Sequence, residues 1–394
     1  MKCSICKNAD LKKVIDLGMQ PLANKYPKNE KEILKEKLFN LSLLFCSNCL
    51  LVRIENIISR KRMFEDYYYL SSVNLGLVRH FNKLAKKIKS NSFVLDIGSN
   101  DGIFLRPLKK LGIKAIGVDP SINVGKIANN NGLETIIDFF SEKTVKKIIK
   151  KHGRPDNIVA SSIFTHLENP KKFVNNIKQL LTKNGMFILE VEYLSNFISN
   201  IQFERFYFDR PFYYSLNSIV TLFQSIGMSL VNIEKINIHG GSLRCYIKNT
   251  ENLKGSKKVI NVLAEERKVL TFNYLKNFDK KISKEAKFLK NSIISLKKNK
   301  KKIFGYGAPA RVSTITNLAK IDSKLIEAII DDSPLKQNRF SPGKHIPIKS
   351  NNYIKNKKVD ILVVFAYDYF KDIKKNTKKL KCKYYMPIPF KILK

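Results

Sequence analysis

The feature that most constrains this chain is the run Phe93-Val94-Leu95-Asp96-Ile97-Gly98-Ser99-Asn100-Asp101-Gly102, followed by Gly117-Val118-Asp119-Pro120. An apolar run suited to a strand ends in Asp96 and turns at Gly98. It reaches Gly102 just ahead of Ile103, Phe104, Leu105 and Leu108, the apolar pattern of a helix. Strand, glycine turn and helix start open a nucleotide-binding βαβ unit, because a glycine lets the backbone approach a ligand that a Cβ would exclude. A second strand over residues 114–118 delivers Asp119 to its C-terminal end, where a carboxylate can accept from both ribose hydroxyls. A dinucleotide site is the competing reading. The turn, however, lacks the G-x-G-x-x-G spacing that seats a pyrophosphate on a helix N-terminus.

The alternation continues, with helices expected near 125–131 and 143–151 and strands near 135–138, 158–162 and 186–192. In a doubly wound sheet ligands bind at the C-terminal strand ends, so Asp96, Asp119, Ser161, His166 and Glu190 are expected on one rim. The two motifs resemble those of class I S-adenosylmethionine methyltransferases. That resemblance implies that Asp96 and the loop of Gly98, Ser99, Asn100, Asp101 and Gly102 face the methionine part of the donor, with Asp119 and Pro120 at the ribose and Ser161 on the same rim.

At 394 residues the chain exceeds one ordinary domain. No apolar run approaches the roughly 20 residues of a membrane span, and the N-terminus lacks a signal-peptide core, so a cytoplasmic protein is expected. The net charge of +40 would fit a nucleic-acid partner. Lysine spread along the whole chain instead reads as solvated surface, with the dense runs at 146–151 and 297–302 placed at helix ends. A positive field would also attract a phosphorylated substrate.

Four of the six cysteines form two C-x-x-C knuckles, Cys3/Cys6 and Cys46/Cys49, which can supply four thiolates to a structural Zn²⁺. Disulfides are the alternative and are disfavoured in a reducing compartment. Cys245 and Cys382 read as core residues. Between the knuckles, Asp16-Leu17-Gly18-Met19-Gln20-Pro21-Leu22-Ala23-Asn24 is a conspicuous loop. The tyrosines of Asp66-Tyr67-Tyr68-Tyr69 either pack or line a polyhydroxylated ligand. His239-Gly240-Gly241-Ser242-Leu243-Arg244 allows close approach to a ligand or forms an edge hairpin. A helical region over 251–300, with Leu263, Val269, Leu270, Phe278 and Phe288 on apolar faces, reads as a bridging helix pair. Beyond it, a strand runs into Tyr306-Gly307-Ala308-Pro309-Ala310-Arg311, and a strand over 325–330 ends in Asp331-Asp332. This is a second Rossmann-like layer that either holds a second nucleotide or covers the site. Boundaries are expected at 1–62, 63–250 and 251–394, in an α/β chain.

The combination of zinc knuckles with DLG-x-x-PLAN, the donor fold, and GYGAPA followed by K-Q-x-R and PG-x-x-IPI resembles the three-domain sugar C-methyltransferases of the NDP-hexose 3-C-methyltransferase type. The resemblance covers nearly the whole chain. It implies a nucleotide-sugar substrate contacted by Tyr67, Tyr69, Glu190, Gly240, Gly241, Ser242, Arg244, Tyr306, Ala308, Pro309, Arg311, Lys336 and Arg339. Where that family usually carries Tyr-His-Glu-His, this chain has Tyr207-Phe208-Asp209-Arg210. The family's second His takes the proton from the sugar carbon, and an arginine cannot, since its pKa stays above about 12. Asp209 is then the first candidate base, with His166 and His239 as alternatives and Tyr207 and Arg210 beside it. Oxygen methylation of a related sugar or phosphorylated acceptor is the alternative chemistry, and a zinc-containing nucleic-acid-binding module the reading from a different class. The oligomeric state is not legible.

Overall fold

A computed structural model describes residues 1–59 and 71–394; Tyr67 and Tyr69 lie outside the described residues. The organising stretch forms the strand Phe93–Ile97, the helix Leu105–Lys110 and the strand Lys114–Asp119, with the two strands paired in parallel. Around them a seven-stranded sheet runs in the order Ser229–Ile236, Ser242–Lys248, Met186–Glu192, Asn157–Ser161, Phe93–Ile97, Lys114–Asp119, Thr135–Ile137. Only Ser242–Lys248 runs antiparallel to its neighbours. A short turn after Ile236 permits that reversal, whereas the parallel pairings need crossover helices. Two of those helices, Glu142–His152 and Pro170–Leu180, start on the side-chain caps Ser141 and Asn169. Lys146 and Lys147 fall in the middle of the first of them and only Lys150 and Lys151 in its last turn, a correction to their expected place.

Residues of Met186–Glu192 alternate between two cores. Phe187, Leu189 and Val191 pack on the side of helices Pro170–Leu180 and Leu216–Gln224, and Ile188 packs with Val94 and Val159 on the other. A strand buried on both faces is what a sheet covered by helices requires.

The C-terminal region builds a six-stranded sheet in the order Ile348–Lys349, Ile329–Ile330, Ile303–Tyr306, Ile361–Val364, Lys383–Met386, Lys391–Leu393, parallel except for the last strand. The expected strand over 325–330 shrinks to two residues, because Leu325 and Ile326 close a turn onto the carbonyl of Asp322. Its glycine turn repeats the first one closely. Gly98 N donates to Val118 O at 2.7 Å and Gly307 N to Ile330 O at 2.6 Å. Asp119 accepts from Asn100 N and Ser121 N, both at 2.9 Å, as Asp331 accepts from Ala308 N at 2.6 Å and Ser333 N at 2.9 Å.

The N-terminal strands Leu11–Gln20, Phe39–Cys46 and Val52–Ile54 form a sheet whose fourth strand, Phe212–Tyr213, comes from far along the chain. Helices Lys257–Val269 and Phe272–Lys298 follow the central sheet. The longer one buries Leu275, Phe278, Ile282, Ala286, Leu289 and Ile293, a stripe at helical spacing. Phe288 lies off that stripe and Val269 ends its helix, so both are exposed, unlike their expected core positions. The modules share cores. The knuckle cysteines pack with the central sheet, while Val14, Leu17 and Leu43 join Phe206, Phe278 and Ile329 in a second cluster.

Candidate active site

At the first glycine turn, Gly98 adopts φ +77°, and a Cβ there would lie 2.5 Å from Ile163 Cγ2. Conformation and close packing both demand glycine. The turn sits at the switch point of the sheet, between Phe93–Ile97 and Asn157–Ser161. Asp96 is buried there, and burial, followed by the nearby Asp119 and Glu190, pushes its carboxyl up to about 8. Asp119 is also raised by burial, against the opposing pull of its Ser121 and Asn100 backbone donors. Asp101 accepts from Ser72 and lies 3.7 Å from Arg106, and Asn100 Oδ1 accepts from Ser71 N. These two therefore tie the turn to the segment before helix Leu75–Ala85. A cradle closed to any Cβ, with an acid at each of two neighbouring strand ends, fits a cationic nucleoside such as S-adenosylmethionine.

The expected partners of an acceptor divide into two groups. Glu190 and Arg244 form a buried ion pair at 2.7 Å; Glu190 also meets His80 at 2.9 Å and Ser161 at 2.6 Å, and Arg244 meets Glu234 at 2.8 Å. Their polar atoms meet one another beside the sheet. Gly240 and Gly241 make a hairpin turn, and a Cβ on Gly240 would strike the Arg205 guanidinium, so its close approach is to protein. The hairpin of Ser229–Ile236 and Ser242–Lys248 is the outermost pair of the seven-stranded sheet, as the edge-hairpin reading expects.

The second group gathers on residues 203–210, a segment that touches every module. Tyr367 OH donates to Glu204, Arg205 pairs with Asp368 at 3.2 Å, and Phe206 O accepts from Thr314 at 3.1 Å. Asn24 Nδ2 donates to Asp209 Oδ2 at 2.5 Å, the Asp209 carbonyl meets His166 Nδ1 at 2.6 Å, and Arg210 pairs with Glu192 at 2.7 Å. Arg311, at the start of helix Arg311–Leu318, pairs with Asp368 at 2.6 Å and stacks on Tyr367. Lys336 and Tyr26 both donate to Ala308 O, at 2.9 and 2.7 Å, and Arg339 reaches Tyr26 O at 3.4 Å.

Burial and the Arg210 guanidinium set the charges in this cluster. Asp209, 2% exposed, is raised by desolvation more than Asn24 and Arg210 lower it. Glu192 is opposed by burial yet held down at about 2, with Arg210 the leading cause. His239 is lowered by burial and Tyr207 raised by it. Among the described residues, Arg210 Nε and Nη1, Arg205 Nε and Arg311 Nη1 are buried without a hydrogen-bond partner. Buried guanidinium N–H groups call for an oxygen-rich or anionic ligand. Glu192, Arg205, Glu204 and Asp368 escape a motif reading, whereas Asn24 closes the DLG-x-x-PLAN stretch. Only Glu192 leaves a signal, since it repeats Glu190 at the two-residue period of one strand face.

In the knuckles, Cys3 and Cys49 Sγ are 3.7 Å apart and Cys6 and Cys46 Sγ 3.5 Å, with all four sulfurs within 4.8 Å of one another. Tetrahedral Zn–S bonds of about 2.3 Å require edges of about 3.8 Å, so the donor set fits zinc with no open position.

A seven-stranded sheet with one reversed strand, carrying a glycine turn and paired acids at its switch point, is the fold of a class I S-adenosylmethionine-dependent methyltransferase, and this chain is such an enzyme. Three family matches cover it in order: a putative zinc binding domain over residues 3–64, a methyltransferase domain over 69–233 and a C-methyltransferase C-terminal domain over 237–389. Together the three matches account for nearly the whole chain, from a zinc-binding through a methyltransferase to a C-methyltransferase C-terminal domain. C-methyltransferase NovU of Streptomyces niveus is 27% identical over 387 residues, spanning 96% of this chain and 92% of its own length. A ubiquinone biosynthesis O-methyltransferase of Azorhizobium caulinodans is 25% identical over 128 residues, 30% of this chain and 51% of that protein. Among solved structures, magnesium protoporphyrin IX methyltransferase of Synechocystis covers 48% of this chain and 88% of its own at 12% identity, with a TM-score of 0.35.

Proposed function

We propose that this enzyme methylates a carbon next to the ketone of a nucleotide-activated 4-keto deoxysugar, with Asp209 as the base. The observation that carries the reading is Asp209 itself: a fully buried carboxyl, raised by desolvation, with the Arg210 guanidinium beside it and His166 at its backbone carbonyl. A C–H beside a ketone must lose its proton before the carbon can attack, and a carboxylate raised toward the working pH is suited to take it. Bound at Asp96, the glycine turn, Asp119 and Pro120, S-adenosylmethionine supplies an electrophilic methyl on its sulfonium. Asp209 takes the α-proton, and the electrons of that C–H bond pass onto the ketone oxygen. Arg210 Nε and Nη1 supply donors to the developing oxyanion, assisted by His166. Burial of Glu192 beneath Arg210 keeps the guanidinium in place. Arg205, Arg311, Lys336 and Arg339 offer cationic contacts to the diphosphate, and Tyr306, Ala308 and Pro309 to the remainder of the nucleotide.

The test incubates the enzyme in deuterated water with a panel of nucleoside diphosphate 4-keto-6-deoxyhexoses. Exchange of the α-hydrogen and a methyl on carbon, read by mass spectrometry and NMR, are expected, and Asp209→Asn should abolish exchange without weakening donor binding. Product carrying its methyl on oxygen, formed with no exchange, would establish the O-methyltransferase reading instead.

A further inference from the structure

The DLG-x-x-PLAN stretch, expected as a loop but forming the end of the strand Leu11–Gln20 through its first five residues, has no share in the donor fold or the zinc cluster, yet it reaches the site. Past the strand Leu11–Gln20, Asn24 donates to Asp209 Oδ2, Tyr26 donates to Ala308 O, and Pro27 O accepts from Phe340 N at 2.9 Å. The same zinc-bearing module grips Asp209 from its other side. Phe212–Tyr213, which begins three residues later, is the fourth strand of the N-terminal sheet, and Ile54 N donates to Pro211 O at 2.9 Å.

We propose that Asn24 is a positioning residue for Asp209, holding one carboxylate oxygen so that the other can receive the substrate proton, and that the zinc-bearing module is thereby a working part of the active site. The inference rests on the reading of Asp209 as the base. An amide Nδ2 can only donate, so it supports the ionised carboxylate and opposes the neutral acid. The other groups facing Asp209 are Arg210, which supports its ionised form, and Tyr26, Tyr207 and Tyr213, with His166 at its carbonyl and Glu192 beyond Arg210. Without Asn24, Asp209 keeps its burial and loses its side-chain donor, so its titration must move upward.

The full-length zinc-loaded protein labelled with aspartate carrying ¹³C at the carboxyl tests this without any sugar substrate. The Asp209 signal is the one lost in Asp209→Asn. In Asn24→Ala its titration midpoint should rise by about one pH unit, the size of one hydrogen bond to a charged group. Asn24→Asp keeps the shape and replaces the donor with a second acid, so the midpoint should rise further, as in any carboxyl pair sharing a proton. Unchanged zinc content and S-adenosylmethionine affinity establish that the variants are folded. The acid limb of solvent exchange with the keto sugar nucleotide should move by the same amount. A midpoint unmoved in both variants overturns the positioning role even where Asp209→Asn abolishes exchange. If Asp209→Asn leaves exchange intact, the base assignment falls and this proposal falls with it.

Discussion

Arg210 and Glu192 form a buried ion pair beside Asp209. Both are nearly inaccessible and 2.7 Å apart. Removing one leaves an uncompensated charge, so Arg210→Leu should cost about 3–5 kcal/mol in urea unfolding, and Arg210→Leu with Glu192→Leu should recover most of that loss. For the same reason Arg210→His does not simply reinstate an imidazole, because Glu192 then has to be neutralised by a smaller and weaker cation. Glu192, held at about 2, stabilises the fold fully above the unfolded carboxyl range near pH 4–5. That contribution fades as the pH falls toward about 2, and Glu192→Gln should remove this slope from the acid unfolding curve. Asp96 has the opposite sign. Raised to about 8, it is mostly protonated at neutral pH and must ionise to face a cationic donor. S-adenosylmethionine affinity should therefore climb by up to about tenfold per pH unit until about pH 8 and then level, with a proton released to buffer in calorimetry. Asp96→Asn should flatten that dependence.

At the level of elements, the glycine turn is held by the acid that the donor is expected to use. Asp119 ties Asn100 N to Ser121 N, so Asp119→Ala unties the turn as well as removing a ribose acceptor. Asp119→Asn retains one acceptor oxygen, and the difference between the two variants separates the roles. We expect Asp119→Asn, which keeps only one of the two acceptors of the turn, to weaken donor binding by roughly 2 kcal/mol, about thirtyfold, with a smaller fall in melting temperature than Asp119→Ala, which loses both acceptors. The C-terminal turn repeats this wiring through Asp331, but the carbonyl of its Ala308 is occupied by Tyr26 and Lys336. The same local geometry thus serves there to dock the N-terminal loop. Helix Phe272–Lys298 is legible as a helix from its spacing, whereas which of its aromatics face inward depends on the sheet it meets: Phe278 packs and Phe288 does not.

For the whole molecule, the three modules are joined through shared cores and a shared sheet. Zinc should bind one per chain, and its site contributes on the order of 10 kcal/mol to the fold of its module. Chelation should therefore expose amides in residues 3–54 to hydrogen exchange, and with them those of Phe212–Tyr213, the strand beside Asp209. Methyl transfer should fall in parallel, although no cysteine touches the segment 203–210. Protection lost only in residues 3–54, with activity retained, would show that the fourth strand holds without its sheet. No helix among the described residues is long and apolar enough to cross a membrane.

By itself the sequence determined what depends on neighbours along the chain. The strand and glycine turn at 93–102, Asp119 at the next strand end, the chelating pairs Cys3/Cys6 and Cys46/Cys49, and the order of three modules are each encoded within a few residues, because φ angles, period-two burial and bite distances are local quantities. Tertiary structure alone decided the fate of isolated charges. Arg244 and Glu190 have the composition of a ligand site and became each other's partners, whereas Asn24, at the end of DLG-x-x-PLAN, and Asp368, with no motif to mark it, were carried to residues 203–210 from both ends of the chain. The reason is electrostatic. A buried charge must find a partner wherever the packing of distant elements places one, and that choice is made by the assembled cores across hundreds of residues of chain.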